Sequence, residues 1–277
     1  MRLKQIARLA RIHLERQNWL RAAARRLREE ITMSSSTDDG SDAEACVRPR
    51  MSRRAFLDGL LAAGTFVAAL SGTIGVRADE QSEARARAQK RPDGRPRLPP
   101  SQYLLSDLRP MGGAMGEPSP GRWKLKVYGD VEQAYEIDFA ELLRMPQVEQ
   151  VCDVHCVTKW TVLDAHFTGV RVADLAARAK PRPSARHVIF EAAHGYTSNV
   201  LLREALAPDV LLAHRYAERP LARQHGGPVR GLVPALYFWK SAKWLTALRF
   251  SARDEPGYWE TRGYHNHADP WRQERYG

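Results

Sequence analysis

Val151-Cys-Asp-Val-His-Cys-Val-Thr-Lys-Trp160 sets a thiol directly after a histidine, at the end of an apolar run, in a chain with only three cysteines. A lone thiolate is a soft ligand, and soft sulfur suits redox metals better than magnesium or calcium. Read alone, Cys156 can be a metal ligand, a nucleophile or a packed core residue. Gln147–Val154 reads as a strand leading into it. If Cys152 and Cys156 lie on one strand at i and i+4, they stand roughly 13 Å apart at ~3.3 Å per residue, so a disulfide needs the strand to break. Cys46 makes no framework with them. No Cys-x-x-Cys-His occurs, which argues against covalent c-type haem.

The 277 residues carry a formal charge of +11. That charge is unevenly placed: residues 1–50 are net +4, 51–100 net +4, and 101–277 only +3. Nucleic-acid binding wants a basic face on the folded domain, and here the basicity sits upstream of it. Residues 1–31 read as a basic amphipathic helix, with Ile6, Leu9, Ile12 and Leu20 among Arg2, Lys4, Arg8 and Arg11. It is either a membrane-surface segment or an extension upstream of a start at Met33 or Met51. Residues 33–50 read as a disordered linker. Ser52-Arg53-Arg54-Ala55-Phe56-Leu57, followed by an uncharged run from Gly59 to Val76, resembles a twin-arginine export signal. Val76-Arg77-Ala78 offers a small-residue cleavage site; without cleavage the run approaches the ~18 apolar residues of a membrane anchor. Four stretches result: 1–50 extension, 51–78 signal or membrane segment, 79–100 linker or arm, and 101–277 the folded domain.

Within that domain short strands and short helices alternate. Strands are expected at 123–128, 147–154, 187–192, 198–202, 211–216, 229–233 and 245–250. Helices are expected at 138–143, with Asp138 as N-cap, and at 172–179. Many short strands with few long helices give a β-rich α+β domain.

The order of several motifs then becomes specific. Val151–Trp160 is followed by Phe167-Thr-Gly-Val170, His194-Gly-Tyr-Thr-Ser-Asn199 and Gln224-His-Gly-Gly-Pro-Val-Arg230. Next come Leu232-Val-Pro234, Tyr237-Phe-Trp-Lys-Ser-Ala-Lys-Trp244 and Glu255-Pro-Gly-Tyr-Trp-Glu260. Together they resemble the sulfite oxidase superfamily of molybdopterin-dependent oxidoreductases, over roughly residues 100–277. The resemblance implies the sulfite-oxidase molybdopterin-binding fold, with Cys156 as the molybdenum ligand and catalytic residue beside the dithiolene of one pterin. It implies cofactor contacts from His225, Arg230 (a planar fork suited to phosphate), Lys240, Ser241, Ala242, Lys243 and, more weakly, Tyr196. Gly226 and Gly227 would let the backbone approach the cofactor. His155, Lys159 and Trp160 are the expected substrate-pocket residues, although His155 reads equally well as a core histidine. Cys152 is expected to be packed.

Sulfite oxidases proper carry an arginine pair just after the ligand cysteine; here the stretch is Val157-Thr158-Lys159-Trp160. That is more similar to the methionine-sulfoxide reductase branch, whose pterin-binding Asn is replaced by His225. The implied reaction is two-electron oxygen-atom transfer on a small sulfur oxide or sulfoxide, with sulfite-dehydrogenase-type oxidation as the alternative. No haem domain is recognisable, so the resemblance implies a separate electron carrier, a haem protein or a quinone-linked subunit. The export signal implies a periplasmic enzyme with transient membrane contact, or one tethered there if the signal is kept. Three other readings stay open. One is a Cys156 hydrolase with His194 or His225 as base. Another is a zinc module using Cys152, His155 and Cys156. The last is a cofactor-binding fold without catalysis.

Overall fold

The computed structural model describes residues 77–116 and 119–277, all within one compact unit. The extension and the twin-arginine-like segment through Val76 lie outside the described residues. Among those described, no helix is long and apolar enough to cross a membrane.

The described chain opens with helix α1 (Glu80–Ala88). Asp79 caps it by accepting from the Ser82 amide at 2.7 Å, and Glu80 and Glu83 precede Arg85 and Arg87 along it, the order its dipole favours. The stretch read as a linker or arm from sequence therefore holds a helix, and it is tied down. Ala86 packs with Leu98 and Leu104, and Arg97 pairs with Asp153 and Asp164 at 2.7 and 2.6 Å.

Two mixed sheets follow. Their strands are β1 (Tyr103–Leu104), β2 (Lys124–Gly129), β3 (Tyr135–Asp138), β4 (Val148–His155), β5 (Trp160–Arg171), β6 (His187–Ala192), β7 (Thr197–Leu201), β8 (Leu211–Tyr216), β9 (Arg219–Pro220), β10 (Arg230–Leu232) and β11 (Leu245–Ser251). One sheet runs β1-β5-β8-β10, with β4 also on β5 and β9 on β8; the other runs β3-β2-β11-β6-β7. The β1–β5 and β2–β11 pairs are parallel and the others antiparallel.

Strand β2 shows why these segments pair: Leu125 and Val127 are buried while Lys124 and Lys126 face water, the period-2 pattern of a half-buried strand. Helices α2 (Phe139–Arg144) and α3 (Val172–Ala179) contribute Leu142, Leu175, Ala176 and Ala179 to the same core as Leu125, Phe190, Leu248 and Phe250. Val170 of β5 and Leu212 of β8 join that cluster from the other sheet. Each fully buried Leu, Val or Phe among them contributes about 1.5–3 kcal/mol of transfer free energy, the alanines less. A second core under β4 and β5 holds Val154, Cys156, Trp160, Phe167, Leu211 and Leu232. Asp138 caps α2 through the Glu141 amide, as its position before the helix predicts. Short helix α4 (Leu202–Ala205) follows β7.

Two features were not legible. Strand β5 is twelve residues long, but Asp164 (φ 51°) and Gly169 interrupt its alternation. A Cβ on Gly169 would lie 2.1 Å from the Leu212 carbonyl oxygen, so only glycine lets β8 come this close.

Candidate active site

Cys156 sits just past the end of β4, in the hairpin loop that returns as β5. The loop is closed by Cys156 N–H donating to the Trp160 carbonyl (2.8 Å) and Lys159 N–H donating to the Cys156 carbonyl (3.0 Å). A bulge between Cys152 and Val154 shifts the strand's register, so that Val154, His155 and Cys156 are all buried. From below, the buried Gln102 side chain donates to the Cys156 carbonyl at 3.1 Å. The thiol meets the Thr158 hydroxyl at 3.2 Å. Burial raises its pKa, and the Thr158 contact and the Arg275 charge act against that rise. Cys152 is packed too, its thiol pushed up to about 12 by burial; both cysteines are free.

The expected pocket residues separate. Lys159 is exposed on the loop with φ 75°. His155 and Trp160 are fully buried. His155 Nδ1 meets the Thr161 hydroxyl at 2.9 Å, its ring lies edge-on to Trp271 at 4.9 Å, and burial pulls its pKa down to about 3. It is a buried histidine whose Nε2 has no partner, so neither of its two sequence readings is excluded. Trp160 lies T-shaped against Phe238 at 6.0 Å, and the Arg230 guanidinium stacks 3.9 Å over the same Phe238 ring. Phe238 therefore joins the cysteine hairpin to the basic loops.

Those loops are built from their own backbone. Arg230 is buried and donates to the carbonyls of His225 (2.9 Å), Ser241 (2.8 Å) and Gly231 (3.2 Å). It pins the 225 and 241 loops together, with its charge unpaired by any carboxylate among the described residues. The Ser241 hydroxyl accepts from Val233 N–H at 2.9 Å, and Ala242 N–H donates to the Lys240 carbonyl. Lys243 Nζ donates to the carbonyls of Met111 and Gly112, the latter at 2.7 Å, and lies 4.2 Å over Trp244. Burial and the Arg230 charge pull Lys243 down to about 8. His225 is half-buried, its pKa lowered by burial and by Arg230.

Lys240 is different. Its ammonium contacts Glu260 (2.5 Å), the Asn199 side chain (2.7 Å) and carbonyl (2.9 Å), and the Asn266 carbonyl (2.6 Å). These contacts engage all of its donors inside the fold. Tyr196 donates to the Trp239 carbonyl at 2.5 Å, so it and Asn199 brace this turn from the β6–β7 hairpin. The two glycines serve chain packing. Gly226 has φ +103° and a Cβ there would lie 2.8 Å from Lys243 Cβ; a Cβ on Gly227 would lie 2.0 Å from the Leu221 carbonyl oxygen.

Sequence reasoning missed Gln102, Thr158 and Arg275. The first lies in a segment without periodicity. Arg275 lies in a charged stretch that reads as solvated, yet it is 9% exposed, donates to the Val157 carbonyl and lies 5.0 Å over the Tyr237 ring.

This architecture defines a class: a strand-rich α+β domain presenting one cysteine on a hairpin loop beside cations that lack counter-ions. Residues 113–259 match the family described as oxidoreductase molybdopterin binding domain. The chain is 39% identical over 182 residues to the uncharacterized oxidoreductase YuiH of Bacillus subtilis, covering 65% of this chain and 92% of that protein. It is 30% identical over 172 residues to the protein-methionine-sulfoxide reductase catalytic subunit MsrP of Ralstonia nicotianae, covering 54% of this chain and 52% of that one. The chain thus spans about half the length of that reductase subunit. The sulfane dehydrogenase SoxCD of Paracoccus pantotrophus aligns in structure with a TM-score of 0.49 at 18% identity, over 75% of this chain and 62% of that one. The chain belongs to the molybdopterin-binding oxidoreductases of sulfite-oxidase type, the family its motifs resemble.

The residues present fit that cofactor. Trp160 Nε1 and Arg275 Nη2, both on residues packed against the cysteine loop, are buried donors with no partner. Buried donors without acceptors are costly, by about 1–3 kcal/mol each, and mark where an acceptor-bearing molecule would sit. Lys243 and Arg230 supply positive charge without a carboxylate, as an anionic phosphate requires.

Proposed function

We propose that the chain is an exported molybdopterin-dependent oxidoreductase acting on a small sulfur oxide or sulfoxide, with Cys156 as its metal ligand. The observation that carries this reading is a buried, free thiol on a rigid hairpin loop, next to unpartnered donors and unpaired cations. When bound, the cofactor supplies two-electron oxygen-atom transfer, in which substrate plus water is interconverted with oxygenated substrate, two protons and two electrons. The electrons pass to or from a separate carrier, a haem protein or quinone-linked subunit.

The chain's own residues do the holding. Gln102 and the two loop hydrogen bonds fix the Cys156 backbone, and Thr158 orients its sulfur. Lys243, His225 and the Ser241–Ala242 backbone offer contacts to the pterin and its phosphate. Arg230 and Lys240 support those loops from inside, Arg230 also adding charge. Tyr196 braces them. Trp160 Nε1 offers a donor at the cysteine side, and Lys159 lies at the exposed lip.

The test is metal content. Wild-type protein from a host that makes the cofactor should carry about one molybdenum per chain. Cys156→Ser should lose metal and turnover while keeping its circular dichroism. A Cys156→Ser protein that still turns over sinks the assignment.

The hydrolase reading is disfavoured because, among the described residues, no histidine ring hydrogen-bonds the Cys156 thiol, whose side-chain partner is Thr158. Among the described residues, no cluster of three His, Cys, Asp or Glu could hold zinc. Export rests on the twin arginines: Arg53→Lys with Arg54→Lys should leave the precursor in the cytoplasm. Normal periplasmic delivery of that double variant would refute the export route.

A further inference from the structure

Gln102, which holds the Cys156 carbonyl, is itself held. It lies immediately before β1, and β1 runs parallel to the start of β5, Tyr103 beside Trp160 and Leu104 beside Thr161. Arg87 of helix α1 donates to the Gln102 carbonyl at 2.7 Å, and Glu83 of the same helix accepts from the Leu104 amide at 3.2 Å. The Gln102 side chain is the middle of a longer line of hydrogen bonds. Across the β4–β5 hairpin, His155 and Thr161 face each other in register. His155 Nδ1 meets the Thr161 hydroxyl at 2.9 Å, that hydroxyl meets Gln102 Oε1 at 3.4 Å, and Gln102 Nε2 reaches the Cys156 carbonyl at 3.1 Å. His155 and Gln102 are 1% exposed and Thr161 0%, so the line runs inside the core.

Counting protons gives this line a direction. Gln102 Oε1 can only accept, so the Thr161 hydroxyl commits its one proton there. The nearby Tyr237 hydroxyl donates instead to the Pro270 carbonyl. Thr161 then accepts from His155. Burial keeps that ring neutral, so Nδ1 carries its one proton and Nε2 is bare. Nε2 is the atom left without a partner. Turning the hydroxyl towards His155 would strip Gln102 Oε1 of its donor and still orphan Nε2, now as an N–H. One unmet buried group is favoured over two. Phenylalanine or leucine would fill the same space with no bare nitrogen; what histidine adds is the Nδ1 donor. At the far end, the Cys156 carbonyl has two donors, Gln102 and the Lys159 amide. Holding that carbonyl fixes the peptide plane that leaves the cysteine, and so restrains the backbone rotation that would swing its side chain.

We propose that His155 is a positioning residue for the cysteine loop: its Nδ1–H sets the Thr161 hydroxyl, which sets the Gln102 amide, which holds the peptide after Cys156. Helix α1 and β1, by fixing Gln102, become part of the scaffold of the site. The consequence at the metal rests on the reading of Cys156 as its ligand; the line of hydrogen bonds does not.

Two measurements on the full-length protein need no metal. With nitrogen-labelled histidine, and His155 assigned by the signal lost in His155→Asn, NMR should show the Nδ1–H tautomer. The Nε2–H tautomer overturns the proposal. Amide exchange is then compared residue by residue. Thr161→Val is nearly isosteric and cuts the line at its centre, so exchange at Cys156 and Lys159 should quicken about 5- to 30-fold, the effect of losing one or two buried hydrogen bonds. His155→Leu should match it. Thr161→Ser, which keeps the hydroxyl, should stay near wild type, and His155→Asn, whose amide nitrogen stands near the Nδ1 position, should recover part. Unchanged exchange at the loop in Thr161→Val overturns the proposal. So does quickening spread evenly over the sheet that holds β2 and β11, the mark of a merely structural loss. If His155→Leu fails to fold, Thr161→Val against Thr161→Ser still decides. In partly reduced, molybdenum-loaded protein, the electron paramagnetic resonance spectrum should shift in Thr161→Val and return in Thr161→Ser; identical spectra in all three overturn the positioning role. Wild type without molybdenum would defeat the reading of Cys156 and leave the tautomer and exchange results to judge the line itself.

Discussion

At the scale of single residues, Lys240 shows how a sequence motif can be placed correctly and its chemistry lie elsewhere. The run Tyr237-Phe-Trp-Lys-Ser-Ala-Lys-Trp244 contains two lysines that look alike on paper. Lys243 is partly exposed and faces carbonyls at the basic loops, while Lys240 points into the fold and pairs with Glu260. Both partners of that pair are buried, and Glu260 also accepts from Trp239 Nε1 at 3.0 Å. Removing one member leaves the other charge uncompensated, so Lys240→Met should destabilise the protein by about 3–5 kcal/mol. Urea denaturation checks this; Lys243→Met should shift the midpoint far less. Cys156 stood out through the resemblance of the motifs around it; read alone, the thiol left ligand, nucleophile and packed residue open. Arg275 and Gln102 were not, because neither sits in a pattern: their roles arise only when distant segments meet.

At the scale of elements, alternation and capping were readable wherever one face is buried and the other wet. Strand β2 and helices α2 and α3 follow from that pattern, Asp138 marking the start of α2, while β6, β8 and β11 read as short apolar runs because they are buried on both faces. Helix α1 was hidden because it buries only Ala86 and so has no apolar stripe. Strand β5 was hidden because its register shifts against both neighbours, β4 and β8. The shift against β4 re-aims the last residues of that strand inward and delivers Cys156 to the loop. Gly169 sits at the β8 shift, so Gly169→Ala should push the strands apart and cost about 1–3 kcal/mol. Thermal unfolding measures it, and an unchanged midpoint would mean that β8 yields without strain.

For the whole molecule, two histidines set opposite limits on stability against pH. His267 gains two carboxylate partners, and its hydrogen bond to Glu204 is the main reason that its pKa rises from 6.5 to about 8. The proton it holds stabilises the fold below pH 6.5, and that contribution fades as pH climbs through about 8. His214 goes the other way: burial lowers it from 6.5 to about 4, so its contribution is present above 6.5 and fades as pH falls towards 4. Denaturant midpoints should therefore decline on both sides, with His267→Gln flattening the alkaline limb only.

The contact between Arg275 and Val157 also bears on biosynthesis. A ribosome emits the chain in order, and 118 residues separate these two partners. At about 5–20 residues per second, the cysteine hairpin waits roughly 6–24 s before Arg275 exists. During that interval the Val157 carbonyl has no Arg275 donor. The hairpin gains that tie only with the last residues made.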